Sequence, residues 1–313
     1  MALSNANAFM KALMARMIGE MEVAETTAVQ YLQTLYRMNN NKPFKNMGWS
    51  KDTATVEGNL SDLADSTKAI YYKVLASVLG SLYKSYGKVA RYWKTQGEKI
   101  QPAVSAEKTE KQKDNWEKWS EIVKLRDALK SATSLLRNQG RGRTLDEEEF
   151  STLFNYLIVS LYTMIPPRRN KDYSEMLVVK NWRPTMSEEF NYYDMKGRRF
   201  IFNQYKTAKR YGQQIEEVPD ELVDVLNLYI KFHPLRKQAS FPLLVNYMGE
   251  ELHPVNGITR ALNKVFGKNL GSSMLRHIFL TEKYGGAGMD EKAEDAKKMA
   301  HSVRVQQEIY VKK

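Results

Sequence analysis

Four clusters in the second half of the chain combine side chains that can do chemistry. They read IPPRRNKDY at 165–173, YKTAKRYG at 205–212, SSMLRHIF at 272–279 and AHSVRVQQEIY at 300–310. Arginine presents a planar fork of donors that matches two oxygens of a phosphate or carboxylate, and it keeps its charge at any physiological pH. Lysine and histidine can deliver or take a proton, and tyrosine can act as a nucleophile. Taken singly, each cluster has a plainer reading. An arginine at a helix end is most often a surface ion pair, and a histidine such as His277 is often a core residue bonded to backbone. The order and spacing of the four carry more than any one of them.

Hydrophobic periodicity outlines the elements that must position these clusters. Phe9, Leu13, Met17 and Met21 recur every four residues, as do Ile70, Val74, Val78 and Leu82 beside Tyr71, Leu75 and Leu79, so the first hundred residues read as helical. Residues 39–50 (NNNKPFKNMGWS) read as a loop. A long helix is expected over 66–95. Its Lys73, Lys84, Lys88, Arg91 and Lys94 form either a solvated face or a face laid along DNA phosphates. Over 96–122 the chain becomes rich in charge and poor in aliphatics, as a linker would. The expected organisation is a helical domain over 1–100, a linker over 101–122 and a second domain over 123–313, with Trp116 and Trp119 beginning the packing of the latter.

In the second half, 147–164 reads as a buried helix ended by Pro166-Pro167, 176–182 and 199–205 as strands, and 194–197 as a turn. A helix begins near Asp220, with Asp220 as the expected N-cap, and further helices are expected over 254–266, 272–284 and 290–300. The fold class is multidomain: an all-α N-terminal domain followed by a mainly helical α+β domain with a small antiparallel sheet.

Composition narrows the chemistry. Forty-eight Lys and Arg against 36 Asp and Glu leave a net charge of +12 in 313 residues, which suits a polyanionic partner, nucleic acid foremost. Zero cysteines remove disulfides, thiol catalysis and cysteine-ligated metals, and four histidines leave little for a His-rich site, so no metal and no cofactor is expected. Lys11 and Arg16 interrupt the N-terminal apolar stretch, and the most apolar segment, 153–164, is well short of the roughly 20 residues that span a bilayer. The expectation is a cytoplasmic or nuclear protein, neither secreted nor membrane-bound.

An arginine, a lysine on a hairpin, Leu-Arg-His, then a histidine with tyrosine nine residues on: this order resembles the tyrosine recombinase family of phage-type integrases, particularly those of viruses or other mobile elements. The architecture fits the resemblance over about residues 10–313, and the motifs fall between 165 and 310. The resemblance implies a core-binding domain followed by a catalytic domain. It also implies site-specific cutting and rejoining of double-stranded DNA through a 3′-phosphotyrosine, four protomers on two duplexes, and accessory DNA-bending proteins as possible partners. By the same resemblance Tyr310 is the nucleophile, Arg169 and Arg276 stabilise the phosphoryl oxygens, Lys206 protonates the 5′-hydroxyl leaving group and His301 bonds the scissile phosphate. Arg169 is preferred to Arg168 because Asp172 then follows three residues later; Arg168 is otherwise a phosphate contact. His277, Ser273 and Asp172 are candidates for catalytic support. Lys209 and Arg210 are expected DNA contacts in a stretch, 196–213, with six positive and no negative side chains.

Two departures from the family pattern stand out. Ser273 occupies the position where many members carry His or Lys, and serine is no general base near neutral pH, so proton removal from Tyr310 falls to His301, or Ser273 only donates a hydrogen bond. The sequence ends three residues after Tyr310, whereas many relatives continue into a helix that packs on a neighbouring protomer, so another element is expected to link protomers unless a tail is missing. A type IB topoisomerase and a DNA-binding relative without catalysis are the alternative readings.

Overall fold

The computed structural model describes residues 6–101, 107–140, 143–252, 256–284, 295–300, 302 and 309–312. They divide into two compact units, 1–103 and 104–313.

The side chain of Asn7 accepts from the Met10 N–H and so starts α1 (Ala8–Glu20), which buries Met10, Leu13 and Met17. Helices α2 (Glu25–Met38), α3 (Thr53–Gly58), α4 (Asp65–Leu82) and α5 (Gly87–Lys99) complete the first unit. The helix expected over 66–95 is therefore two helices. Tyr83 leaves helical backbone at φ −135°, ψ 81°, and a short 3-10 turn, Lys84–Tyr86, sends α5 back along α4. Both helices are amphipathic against the same core, so their apolar pattern runs through the turn without a break. Trp93 on α5 is fully buried, 4.9 Å from the Tyr72 ring, and donates its indole N–H to Ser50 O at 2.9 Å. Ile70, expected on the buried stripe, is 61% exposed. Gly97 lets the two helices approach: a Cβ there would stand 3.1 Å from Ala69 O and 3.2 Å from Lys73 Cγ.

In the second unit, the segment expected as linker carries α6 (Glu110–Asn115) and the start of α7 (Trp119–Ala132). A reciprocal capping box between Thr109 and Gln112 begins α6. A second such box, Asp146 with Glu149, begins α8 (Glu147–Leu161), whose three first-turn glutamates complement the helix dipole. From Phe150 to Leu161 the helix is almost wholly buried, and it ends before Pro166-Pro167 as expected. Then follow α9 (Asn170–Ser174), β1 (Met176–Val179), β2 (Asn191–Asp194), β3 (Arg199–Phe202), α10 (Ala208–Tyr211), β4 (Gln214–Glu217), α11 (Asp220–Phe232), β5 (Ser240–Pro242), α12 (Gly257–Phe266) and α13 (Ser272–Tyr284). Asp220 is the first helical residue of α11, and Pro219 holds the capping position expected for it. The helix expected over 290–300 falls partly outside the described residues; 295–298 are helical.

The five strands lie in the order β4-β3-β2-β1-β5. The sheet is mixed rather than wholly antiparallel, because β1 and β2 pair in parallel across the loop 180–190. Strands as short as β2 and β5 have too few residues to declare themselves by alternation. Register aligns Val178 with Tyr193 and Tyr193 with Phe200 on the face that joins the core of α8 and α11, while Leu177, Tyr192 and Ile201 line the opposite face under Trp182. No helix among the described residues is long and apolar enough to cross a membrane.

His233, just past α11, is buried between the rings of Tyr229 (5.3 Å) and Phe241 (4.6 Å), and its Nδ1 accepts from the Leu235 N–H at 3.1 Å.

Two stability measurements follow from this packing. Gly97→Leu should cost about 1–3 kcal/mol in urea denaturation by wedging α4 from α5, whereas Gly87→Ala, with open space around its Cβ, should be neutral or slightly stabilising. Burial lowers His233 from 6.5 to about 4, so the folded chain holds fewer protons than the unfolded one in that interval. Its contribution is complete above pH 6.5 and is lost as the pH falls toward 4, by about 3 kcal/mol in all. His233→Asn should flatten that part of the stability-versus-pH curve.

Candidate active site

Helix α13 places Arg276 in the interior, 1% exposed, with Tyr310 stacked on it: the guanidinium carbon is 4.6 Å from the centre of the Tyr310 ring. None of the three guanidinium nitrogens of Arg276 has a hydrogen-bond partner among the described residues. Burial lowers Arg276 to about 10; Tyr310 opposes the fall, Arg169 adds to it, and Asp172 and Arg168 oppose and add to it in turn. At neutral pH the group is still a cation. A buried, charged donor set left unmatched is costly, and an anion would satisfy it.

Arg169 stands at the capping position of α9, half-buried, and its Nη1 is a further buried donor without a partner among the described residues. Asp172 follows on α9 and is fully buried. Burial raises its pKa, while Arg168, then Arg169 and Arg276, draw it back down. The Asp172 carboxylate thus sits within the field of three arginines, and it is bonded to one of them.

That one is Arg168, where the structure departs from the sequence reading. Arg168 is 2% exposed, so it is no surface contact for DNA. Its Nε donates to Asp172 Oδ2 at 2.8 Å, its Nη2 to Gln214 Oε1 at 2.9 Å and its Nη1 to Lys298 O. The guanidinium also lies 3.7 Å over the Phe202 ring. Each of its three nitrogens has a partner. Of two adjacent arginines, Arg168 is an internal brace and Arg169 is the one with a donor to spare.

The brace reaches a turn, 295–300, that other groups also hold. Gln214 Nε2 donates to Lys297 O (3.2 Å) and Thr207 Oγ1 to Ala300 O (2.9 Å). From the other side Lys283 Nζ donates to Asp295 Oδ2 at 2.6 Å, and Tyr284 Oη bonds the same oxygen. Ala300 is left-handed at φ 53°. His301, the next residue, lies outside the described residues.

Lys206 is exposed in the turn after β3. Its loop is closed by Tyr205, whose hydroxyl donates to Gly212 O at 2.6 Å, and Gly212 turns the chain into β4 at φ 66°, a conformation that suits glycine. Among the described residues no hydrogen bond or ion pair joins Lys206 to Arg169, Arg276 or Tyr310; Thr207 links its loop to the 295–300 turn. Lys209 and Arg210 are exposed on α10. Ser273 is exposed in the first turn of α13 and makes no hydrogen bond to Tyr310 among the described residues. In the first unit Lys84, Lys88 and Arg91 are exposed and Lys73 is half-buried. Lys73, Arg91 and Lys94, with Glu98 paired to Lys94, line a groove of about 580 Å³ together with Ala76, Gly80 and Ala90. Gln214, Thr207 and Asp295 were not legible as site residues in the sequence: Gln214 and Thr207 bond main-chain carbonyls more than eighty residues along the chain, and Asp295 meets the side chains of Lys283 and Tyr284 only once the chain is folded. No group of three or more His, Asp or Glu among the described residues is placed to hold a metal ion.

No family model matches the chain, and no curated protein does. Among solved structures it is similar to the crystal structure of XerA recombinase, at 15% sequence identity over 96% of this chain and 92% of that one, with a TM-score of 0.37. So loose a superposition establishes neither a shared family nor a shared activity.

The two arginines should separate by stability. Arg168→Met strands a buried carboxylate and should cost about 3–5 kcal/mol in chemical denaturation, whereas Arg276→Ala removes an unmatched charge and should cost far less. Inorganic phosphate or sulfate should raise the thermal midpoint of the wild type through linkage, and Arg276→Ala should lose most of that rise.

Proposed function

We propose that this chain is a DNA-cutting and rejoining enzyme of the tyrosine recombinase type. The observation that carries the reading is the unmatched guanidinium of Arg276 stacked on Tyr310, with the spare Nη1 of Arg169 within its field. A phenol stacked on an arginine with open donors, with a second arginine in that arginine's field, suits phosphoryl transfer to tyrosine. The phosphate oxygens take the donors, and the extra negative charge that develops on them is met by cations already in place.

In the proposed reaction Tyr310 Oη passes its proton to His301, which returns it when the phenol is released, and attacks phosphorus. The new O–P bond forms a 3′-phosphotyrosine as the bond to the 5′-oxygen breaks. Lys206 protonates that leaving oxygen, and His301 supports the phosphate. The 5′-hydroxyl of another strand then attacks the phosphotyrosine, restoring the diester and returning the phenol. No water or energy source is consumed, since one ester exchanges for another.

The first unit supports the reading through the cationic rim of its α4–α5 groove, small-residued enough for a backbone strand to approach, with Lys84 and Lys88 as further phosphate contacts. In the second unit Lys209 and Arg210 take that part. Arg168 is reassigned from DNA contact to brace. Double-stranded DNA is the partner. Integration for a virus or mobile element, a tetramer on two duplexes, accessory DNA-bending proteins and a cytoplasmic or nuclear setting complete the proposal.

Incubation with a nicked duplex bearing the target site, without added metal, should yield a covalent adduct on a denaturing gel for wild type and none for Tyr310→Phe. Arg276→Ala should slow adduct formation by about 10²–10³-fold. Binding itself should weaken steeply as salt rises. A wild-type protein that binds the duplex but never forms the adduct would overturn the proposal.

A further inference from the structure

Tyr310 is held by more than its ring. On α13 the residue after Arg276 is His277, and Thr281 lies one turn later on the same face. His277 Nδ1 is 3.1 Å from Tyr310 O, and Thr281 Oγ1 donates to the same carbonyl at 3.4 Å. The Lys312 N–H in turn donates to Thr281 Oγ1 at 2.9 Å. Two side chains one helical turn apart therefore take both the carbonyl of Tyr310 and the amide two residues on.

The chemistry of these atoms fixes their roles. A carbonyl oxygen only accepts, so the proton of a neutral His277 resides on Nδ1 and that nitrogen is committed. The single proton of Thr281 goes to Tyr310 O, and its lone pair receives Lys312, so its hydroxyl is oriented at both ends. Around the ring of His277 stand Arg276 on its own helix, Tyr310 (centroids 5.0 Å apart) and Lys312 on the tail. Burial, chiefly, together with those two cations keeps the ring in its neutral form, although the bond to Tyr310 O works the other way. Tyr310 and Val311 also pack against a small apolar cluster of Leu280, Tyr284 and Met299. The apolar contact holds the tail to α13, and the hydrogen bonds set which residue stands over Arg276.

We infer that His277 and Thr281 are positioning residues that clamp the main chain at 310–312 and so seat the Tyr310 ring on Arg276 of the same chain. The inference rests on the reading of Tyr310 as nucleophile. It makes the catalytic support expected of His277 one of placement: its bonded nitrogen is spent on a backbone carbonyl. Placement matters because a nucleophile displaced by about 1 Å can lose about 10²-fold in rate.

The amide nitrogen of asparagine falls where Nδ1 lies in histidine, and that of glutamine falls where Nε2 lies, so the two substitutions distinguish a clamp from a general base. With DNA saturating, His277→Asn and Thr281→Ser should form the covalent adduct within about 3-fold of wild type, and His277→Gln and Thr281→Val about 10–100-fold more slowly, with DNA affinity unchanged in all four. Without DNA, hydrogen exchange at the Lys312 amide should accelerate in Thr281→Val and stay slow in Thr281→Ser. Equal rates for His277→Asn and His277→Gln, or unchanged exchange at Lys312 in Thr281→Val, would overturn the clamp. If the wild type formed no adduct at all, the proposed function would fall, and the exchange measurement would still decide the clamp by itself.

Discussion

The constraint on which the rest of the site depends is a buried positive charge without a partner. Proteins bury guanidinium groups when carboxylates or carbonyls meet them, as happens at Arg168, and the cost of leaving one unmet is several kcal/mol. Arg276 is unmet. The fold tolerates it because α13 is anchored elsewhere, through Leu275, Ile278 and Leu280 in the apolar interior. An unmatched cation held rigidly beside a phenol is set to receive charge, since nothing has to rearrange before an anion enters.

The neighbouring arginine shows what that rigidity requires. Arg168 differs from Arg169 by one position, yet its forked donors tie the Asp172 carboxylate, the start of β4 at Gln214 and the carbonyl of Lys298 into one cluster. The 295–300 turn is thereby held from the hairpin side by Arg168, Gln214 and Thr207, and from the α13 side by Lys283 and Tyr284 through Asp295. Segments more than eighty residues apart meet there through side chain to main chain bonds. Such bonds place no demand on the identity of the residue that supplies the carbonyl, which is why sequence carries little trace of them.

Helix α13 then serves two ends with adjacent residues. Arg276 points its charge into the interior, and His277 with Thr281 grips the segment that bears Tyr310. The 3.6-residue period makes this possible: consecutive side chains diverge by about 100°, so one short helix addresses the interior charge and the tail at once.

Much of the fold was legible in periodicity and punctuation. The buried run of α8 and its end at Pro166-Pro167, the strand at Phe200 and Phe202, and the helices bearing Leu222 and Arg276 follow from local residue patterns that the structure retains. The break at Tyr83 and the parallel pairing of β1 with β2 did not, because each depends on where the chain packs rather than on which residues it contains. By itself the sequence determined which side chains are candidates for the proposed site: Arg168 and Arg169 together, Lys206, Arg276 beside His277, His301 and Tyr310. Only the tertiary structure decided which arginine is spent on the interior and which donors remain open. A guanidinium's partners are set by the atoms that folding brings within 3 Å of it, and those atoms come from remote parts of the chain.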